Sequence, residues 1–249
     1  MCVRKHTKRM GVIVCLAATG LLMTLSGIYF FATGQRFIAV MGMSAESAHL
    51  LLIIDPGHGG MDGGATSITG VEERELNLEI ALRLEALAAL YGIPTEMTRR
   101  TAEIDYPEDA NTIRQKKVAD TRARVELINA AANAVVISIH QNIYDGPNAS
   151  GPQVLFADTA ASEEFSLSMQ EALTEALGLT RPRPPIQVRQ GVYIMNHINT
   201  PAILVECGFL SNPEEEAALR TEAYQIRLAS ALLSGYIRSL ELLQTRYFG

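Results

Sequence analysis

Three side chains that can perform acid–base or metal chemistry each follow a short apolar run in this chain of 249 residues. Each run has the length and composition of a buried strand. In open α/β sheets, ligands bind beyond the carboxyl ends of the strands, and parallel strands bring those ends to one edge. We therefore expect a functional site that is built around His58, His140 and Glu206.

The residue types favour a metal centre. Two histidines and a carboxylate are a common ligand set of catalytic zinc, which keeps a fourth position for water. The carboxylates near His58 are Glu72, Glu73 and Glu75, around the start of a predicted helix. Each of them could instead be a helix-terminus acid that the helix dipole stabilises, so the residues alone leave the third ligand open. A second carboxylate that is not a ligand would act as general base, and Glu206 is the candidate.

A glycine-rich segment surrounds the first histidine. It reads Asp-Pro-Gly-His-Gly-Gly-Met-Asp-Gly-Gly over residues 55–64, with five glycines in its last eight residues. Such a backbone turns sharply and leaves the imidazole uncrowded. A phosphate-binding loop and a purely structural turn are the alternatives. No Gly-Lys-Ser/Thr follows, and the spacing is not that of a dinucleotide fingerprint, so phosphate binding is disfavoured.

Strands and helices are predicted to alternate after residue 49. Apolar runs predict strands at residues 50–54, 93–98, 134–139, 154–157, 191–195 and 202–205. Apolar residues at helical spacing predict helices within residues 76–91, 113–132, 165–177 and 219–240. This order predicts an α/β fold in which a single, mainly parallel or mixed sheet is flanked by helices.

The N-terminal segment differs in kind from the rest of the chain. Four basic residues precede an uncharged run over residues 10–33, which as a helix would extend ~36 Å and could cross a hydrocarbon core of ~30 Å. We predict a basic cytoplasmic stub and transmembrane signal anchor in residues 1–36, a linker in 37–48 and an exported catalytic domain in 49–243. Cleavage within residues 44–48, followed by secretion, is the alternative.

Charge and cysteine content narrow the function classes. The first 36 residues hold five Lys or Arg and no acid, so the remainder carries a net charge of −11. An acidic domain without a basic stripe is a poor nucleic-acid binder, and we expect no nucleic-acid partner. Only Cys207 lies in the exported portion, and a lone cysteine forms no internal disulfide.

Two further residues are candidates for a role at the site. Cys207 could be a nucleophile with His58 or His140 as its base. Neighbouring strand residues point to opposite faces, so either Cys207 or Glu206 turns away from the site. Asn142, two residues beyond His140, is a candidate to orient a ligand or to contact substrate, and a structural role is equally compatible with its position.

Four short blocks carry a resemblance to a known family. They are Asp-Pro-Gly-His-Gly-Gly at 55–60, Glu-Arg-Glu-Leu-Asn-Leu at 73–78, Ser-Ile-His-Gln-Asn at 138–142 and Val-Glu-Cys-Gly-Phe-Leu-Ser-Asn at 205–212. In type and order they resemble the signature blocks of the zinc N-acetylmuramoyl-L-alanine amidases, and the resemblance extends over roughly residues 50–241. Any one block is weak, whereas four in order are specific.

The resemblance implies a set of roles. It implies Zn²⁺ bound by His58, Glu73 and His140, with Glu206 as the catalytic acid/base. It also implies that the substrate is peptidoglycan, cleaved at the amide between the lactyl group of muramic acid and the L-alanine of the stem peptide. Gln141 departs from the smaller residue that many relatives have after the second histidine, which bears on the shape of the pocket.

A narrower resemblance is to the membrane-anchored amidases that act on the spore cortex. It rests on the stretch at residues 113–120, on the single-domain layout and on the absence of wall-binding repeats. It implies removal of stem peptides so that muramic δ-lactam forms, and it makes a lipoprotein partner an option. A general vegetative cell-wall amidase and a membrane-anchored wall-binding module with a structural metal site are the alternatives.

Overall fold

The structure is a computed structural model that describes residues 50–144, 146 and 149–248. The predicted anchor at 1–36 and linker at 37–48 lie outside the described residues. Within the described part of the chain, no helix is both long and apolar enough to cross a membrane.

Strands and helices alternate through most of the described chain. The six strands are β1 (Leu51–Pro56), β2 (Thr95–Met97), β3 (Ala134–Asn142), β4 (Gln153–Phe156), β5 (Ile186–Gln187) and β6 (Ala202–Phe209). The helices are α1 (Glu73–Leu90), α2 (Ile113–Ala130), α3 (Ala160–Leu177), α4 (Tyr193–His197), α5 (Pro213–Leu219) and α6 (Glu222–Leu243), followed by a π-helical turn (Gln244–Phe248).

The strands form one mixed sheet in the order β2-β1-β3-β6-β4-β5. β2, β1, β3 and β6 run parallel to one another. β4 pairs antiparallel with β6, and β5 pairs parallel with β4. A single mixed sheet flanked by helices is the predicted fold class, and this part of the prediction is confirmed.

Apolar side chains on both sheet faces explain why the strands read as continuous apolar runs. One face packs against α2 and α4 through Ile53, Val136 and Leu204. The other lies under α1 and α3, and α6 packs on both of these helices. Successive strand residues alternate between the two layers.

One detail of the sequence-based prediction is wrong. The strand predicted at residues 191–195 is a turn that leads into the short helix α4, in which Asn196 donates to the carbonyl of Val192 and the Tyr193 and His197 rings stack. The helix predicted within residues 113–132 is confirmed as α2, although Ile113 and Val118 on it are 61% and 41% exposed. The helix buries Arg124 and Ile128 instead, because its inner side faces a polar network as well as the apolar core.

Core packing between α3 and the sheet generates a test of the fold. Phe165 on α3 is fully buried, whereas Leu167 on the same helix is 56% exposed. Phe165→Ala should lower the free energy of unfolding by about 3–5 kcal/mol, because it removes buried apolar surface and leaves a cavity. Leu167→Ala should change it by less than ~0.5 kcal/mol. Urea unfolding followed by circular dichroism measures both, and equal losses would contradict this packing.

Candidate metal centre and active site

Parallel pairing places the ends of three strands at one edge of the sheet. Pro56, the last residue of β1, pairs with Ile139 of β3. On the other side of β3, His140 pairs directly with Glu206 of β6. His58 follows β1 by two residues, so the structure brings together the three side chains that the strand ends predicted.

Glu73 lies between the two imidazoles. Its Oε1 atom is 2.9 Å from His140 Nδ1, and its Oε2 atom is 3.2 Å from His58 Nε2. Donor atoms of His58, Glu73 and His140 all lie within 4.8 Å of one another, and within the described residues these three form the one such group that could hold a metal ion. The imidazoles meet edge to face, with ring centroids 5.0 Å apart.

The structure separates the three glutamates that local sequence left equivalent. Glu73 is the first residue of α1, where its carboxylate accepts hydrogen bonds from the backbone N–H of Ala65 at 2.9 Å and of Gln141 at 3.0 Å. Glu72 instead forms an ion pair with Arg74, and Glu75 is exposed. Only Glu73 of the three lies against both histidines.

Asn77 fixes the Glu73 carboxylate from the same helix. It lies four residues after Glu73, fully buried, and its Nδ2 donates to Glu73 Oε1 at 3.2 Å and to the carbonyl of Gly57 at 3.1 Å. Gln141 in turn donates from Nε2 to Asn77 Oδ1 at 3.2 Å. Gln141 therefore holds Asn77 in position, and the Gln141 side chain is buried.

Asp62 orients His58 from the far side of the ring. His58 Nδ1 donates to Asp62 Oδ2 at 2.9 Å, and Lys117 on α2 forms an ion pair of 2.8 Å with the same oxygen. With Nδ1 occupied, Nε2 is the nitrogen that faces Glu73. Carboxylates in this position set the tautomer and the ring angle of metal-binding histidines.

The charges at the centre suit a cation. Burial by itself raises the pKa of Glu73, but hydrogen bonds and charges from His140 and His58 hold it well below its usual value, so the carboxylate is ionised. Burial by itself lowers the pKa of His58, whereas hydrogen bonds to Asp62 and Glu73 raise it to about 9. A divalent cation between His58 Nε2 and Glu73 would replace the proton on that nitrogen, because a metal ligand must be deprotonated. Two imidazoles and one carboxylate are a donor set that fits zinc.

Two glycines make room for these ligands. A Cβ atom at Gly57 would lie 2.2 Å from His140 Nε2, which no side chain can tolerate. A Cβ at Gly64 would lie 2.6 Å from Glu73 Oε2 and 2.7 Å from His58 Cδ2, and Gly64 has a φ of +72°. The glycine-rich segment therefore has a specific steric function at the centre.

Glu206 presents a carboxylate beside the candidate ligands without being among them. Its Oε2 atom is buried and makes no hydrogen bond. Burial raises the pKa of Glu206 above its usual value, and the nearby His140 charge only partly opposes this. A buried carboxylate oxygen without a hydrogen bond is costly, and its presence here fits a group that exchanges a proton with substrate or water.

Cys207 lies on the other face of the sheet from Glu206. The side chain is fully buried, and burial raises the pKa of the thiol well above its usual value. A nucleophilic cysteine must be a thiolate that can reach substrate, so this environment disfavours the thiol mechanism.

Asn142 lies at the end of β3, beyond a register shift that separates it from His140. Its carbonyl accepts a hydrogen bond from the N–H of Leu210 at 2.8 Å, and the residue is half-buried. It is not part of the ligand group. A role in substrate contact stays a prediction.

Several residues that hold the candidate ligands in position were not identified from the sequence. Asn77 was detectable, because positions i and i+4 of a helix share a face and Glu73 begins that helix. Asp62 stands four residues after His58 but carried no helical or strand signal. Arg99 and Arg124, which contact the His58 loop from distant segments, had no local signal.

Comparison with known proteins identifies the class that this fold and site define. The profile of the N-acetylmuramoyl-L-alanine amidase family matches residues 52–238. The chain belongs to this family, so it is a peptidoglycan hydrolase of the amidase class, as the four sequence blocks implied.

Individual relatives agree with this assignment. The germination-specific N-acetylmuramoyl-L-alanine amidase of Bacillus subtilis is 34% identical over 190 residues, which cover 76% of this chain and 78% of the relative. The CwlD amidase from Clostridioides difficile, solved in complex with the GerS lipoprotein, has a TM-score of 0.74 and 33% identity, over 78% of this chain and all of that one. The N-acetylmuramoyl-L-alanine amidase from Clostridium difficile 630 has a TM-score of 0.67 and 29% identity, over 78% and 98% of the two chains.

The close approach of Gly57 to His140 generates a prediction. Gly57→Ala should lower amidase kcat/KM by about 100-fold, because displacement of a catalytic group by about 1 Å has an effect of that size. Gly191→Ala is the matched control, since a Cβ there meets nothing within 4 Å. Release of stem peptide from purified peptidoglycan measures both variants. Near-normal turnover of Gly57→Ala would show that His140 is placed differently.

Proposed function

We propose that this amidase depends on zinc held by His58, Glu73 and His140, and that Glu206 is its catalytic acid/base. The observation that carries the proposal is the ionised Glu73 carboxylate between two imidazoles. Beside them, on β6, Glu206 has a buried Oε2 atom that makes no hydrogen bond. The bond cleaved would be the amide between the lactyl group of muramic acid and the L-alanine of the stem peptide.

The residues have distinct tasks in this mechanism. When bound, zinc would supply Lewis-acid activation of water and of the scissile carbonyl. Glu206 accepts a proton from the attacking water and then delivers it to the nitrogen of the departing alanine. A raised pKa suits both transfers, because the same carboxyl group must accept and release the proton near neutral pH. Asp62 and Asn77 keep His58 and Glu73 in place during the reaction.

We further propose that the substrate is spore-cortex peptidoglycan and that the product leads to muramic δ-lactam. The germination-specific relative in Bacillus subtilis supports this role, as does the similarity to the CwlD amidase structure. That structure is a complex with a lipoprotein, which supports a lipoprotein partner for this chain as well. The anchor in residues 1–36, with the catalytic domain in the cell envelope, stays a sequence-based prediction.

Two substitutions separate the proposed roles. Glu206→Gln should retain one zinc per chain but lose about 10²–10⁴-fold in kcat, because general acid–base catalysis is worth that much. His58→Ala should lose zinc and turnover together, since one of three ligands is removed. Zinc content and release of stem peptide by the full-length chain are the measurements.

Cys207→Ala serves as the control for both variants. It should retain zinc and keep kcat within about threefold, because the thiol lies on the opposite face of the sheet. Loss of turnover in Cys207→Ala with zinc retained would favour the thiol mechanism.

Normal turnover of Glu206→Gln would remove Glu206 from its proposed role. Zinc binding by a wild-type chain that releases no peptide would favour a wall-binding module.

The cortex assignment is tested by complementation. We expect expression of this chain in Bacillus subtilis that lacks its germination-specific amidase to restore muramic δ-lactam in spores, whereas Glu206→Gln should not. Mass spectrometry of cortex muropeptides measures the lactam. Active enzyme in sporulating cells without lactam would point to a vegetative wall substrate instead.

A further inference from the structure

Three consecutive backbone carbonyls in the His58 loop accept hydrogen bonds from two buried guanidinium groups. Pro56 O accepts from Arg124 Nη1 at 2.7 Å and from Arg99 Nε at 3.0 Å. Gly57 O accepts from Arg99 Nη2 at 3.0 Å, and His58 O accepts from Arg124 Nη2 at 2.6 Å. The loop that carries the first candidate ligand is therefore held by side chains from two distant segments.

His58 needs such support more than the other two candidate ligands. Glu73 belongs to α1 and His140 to β3, so the hydrogen bonds of regular secondary structure fix their backbones. His58 lies in a loop and has a φ of +60°, in the left-handed region that costs an L-residue free energy. A residue keeps such a conformation only when its surroundings impose it.

The guanidinium group of Arg124 is itself fixed. Its side chain is 3% exposed, and it donates from Nε to Asp120 Oδ1 and from Nη1 to Asp55 Oδ1, both at 2.9 Å. Asp55 also accepts from Thr98 Oγ1 at 2.6 Å and from Ser138 Oγ at 2.7 Å. The planar fork thus contacts four acceptors in fixed directions, which a lysine ammonium cannot reproduce.

Stability alone does not account for this buried charge network. Replacing buried ion pairs with apolar side chains is often neutral or stabilising, so an apolar packing would serve the core as well. Two like charges also lie close together here: burial and the neighbouring Arg124 charge lower the pKa of Arg99 to about 10. Apolar side chains in place of Arg99 and Arg124 would remove the donors that contact the carbonyl groups of Pro56, Gly57 and His58.

We propose that Arg124, supported by Arg99, is a positioning residue that holds the His58 backbone in its left-handed conformation and thereby sets the metal affinity of the site. The inference rests on the proposed metal centre. Arg124 acts through the carbonyl groups of Pro56 and His58 and does not touch metal or substrate. Loss of the fork should let the loop relax and move His58 Nε2 away from Glu73 and His140.

The test compares Arg124→Lys with the wild-type full-length chain. Lysine keeps the positive charge next to Asp55 but cannot contact all four acceptors. Zinc affinity, measured by competition with a chromophoric chelator, should fall about 10–100-fold, the range found for residues that support metal ligands. For a variant that circular dichroism shows to be folded, turnover should recover when zinc is raised above the weakened dissociation constant.

Two controls and a second variant make the result decisive. Tyr236→Phe removes a buried hydrogen bond of 3.0 Å to Leu50 O, before the start of β1, and should leave zinc affinity unchanged. Arg100→Lys alters an exposed arginine beside Arg99 and should also change nothing. If Arg124→Lys does not fold, Arg99→Lys decides, and it should weaken zinc binding in the same direction.

The outcomes distinguish this proposal from the proposed function. Zinc bound by the wild-type chain and lost in His58→Ala supports the metal centre itself. If that holds but the lysine variants that fold bind zinc within twofold of wild type, the positioning proposal is overturned. An equal loss of zinc affinity in Tyr236→Phe would also overturn it, because general destabilisation would then explain the effect. A wild-type chain that binds no zinc would overturn the proposed metal centre first.

Discussion

β3 pairs in parallel with β1 on one side and with β6 on the other, and this arrangement places the functional side chains at the strand ends. The pairing sets His140 directly beside Glu206 and brings the end of β1, with the His58 loop, to the same edge. A shift of one residue in either register would turn His140 or Glu206 to the opposite face. The large buried side chains of both sheet faces prevent such a shift, so the apolar core also determines the geometry of the site.

The electrostatics of the edge follow from burying several charged groups close together. Glu73 and Asp62 contact the imidazoles, while Glu206 is left without a hydrogen-bond partner. Behind them, Asp55 is neutralised by Arg124, so its negative charge does not add to that of the centre. The domain can therefore concentrate negative charge where a cation fits and cancel it elsewhere.

The candidate metal centre also imposes steric constraints on the surrounding backbone. Gly57 and Gly64 stand where any side chain would displace a candidate ligand, and His58 adopts a backbone conformation that favours glycine. Such local costs are stable only within a rigid frame. The frame here consists of α1 and β3, which carry Glu73 and His140, and of the buried Arg124 side chain of α2, which donates to the His58 loop.

The sequence by itself determined the alternation of strands and helices, the class of the sheet and the positions of His58, His140 and Glu206 at strand ends. These features depend on local apolar periodicity, which one chain segment contains in full. The resemblance to the amidases selected Glu73, and its signature blocks identified the family.

Only the tertiary structure decided that Glu73 lies against both histidines while Glu72 and Glu75 do not, that β4 runs antiparallel, and that residues 193–197 are helical. Only the tertiary structure, too, showed the contacts of Asn77, Asp62, Arg99 and Arg124. These outcomes depend on contacts between segments far apart in the chain, and no periodicity within one segment encodes which distant side chain will complete a hydrogen bond.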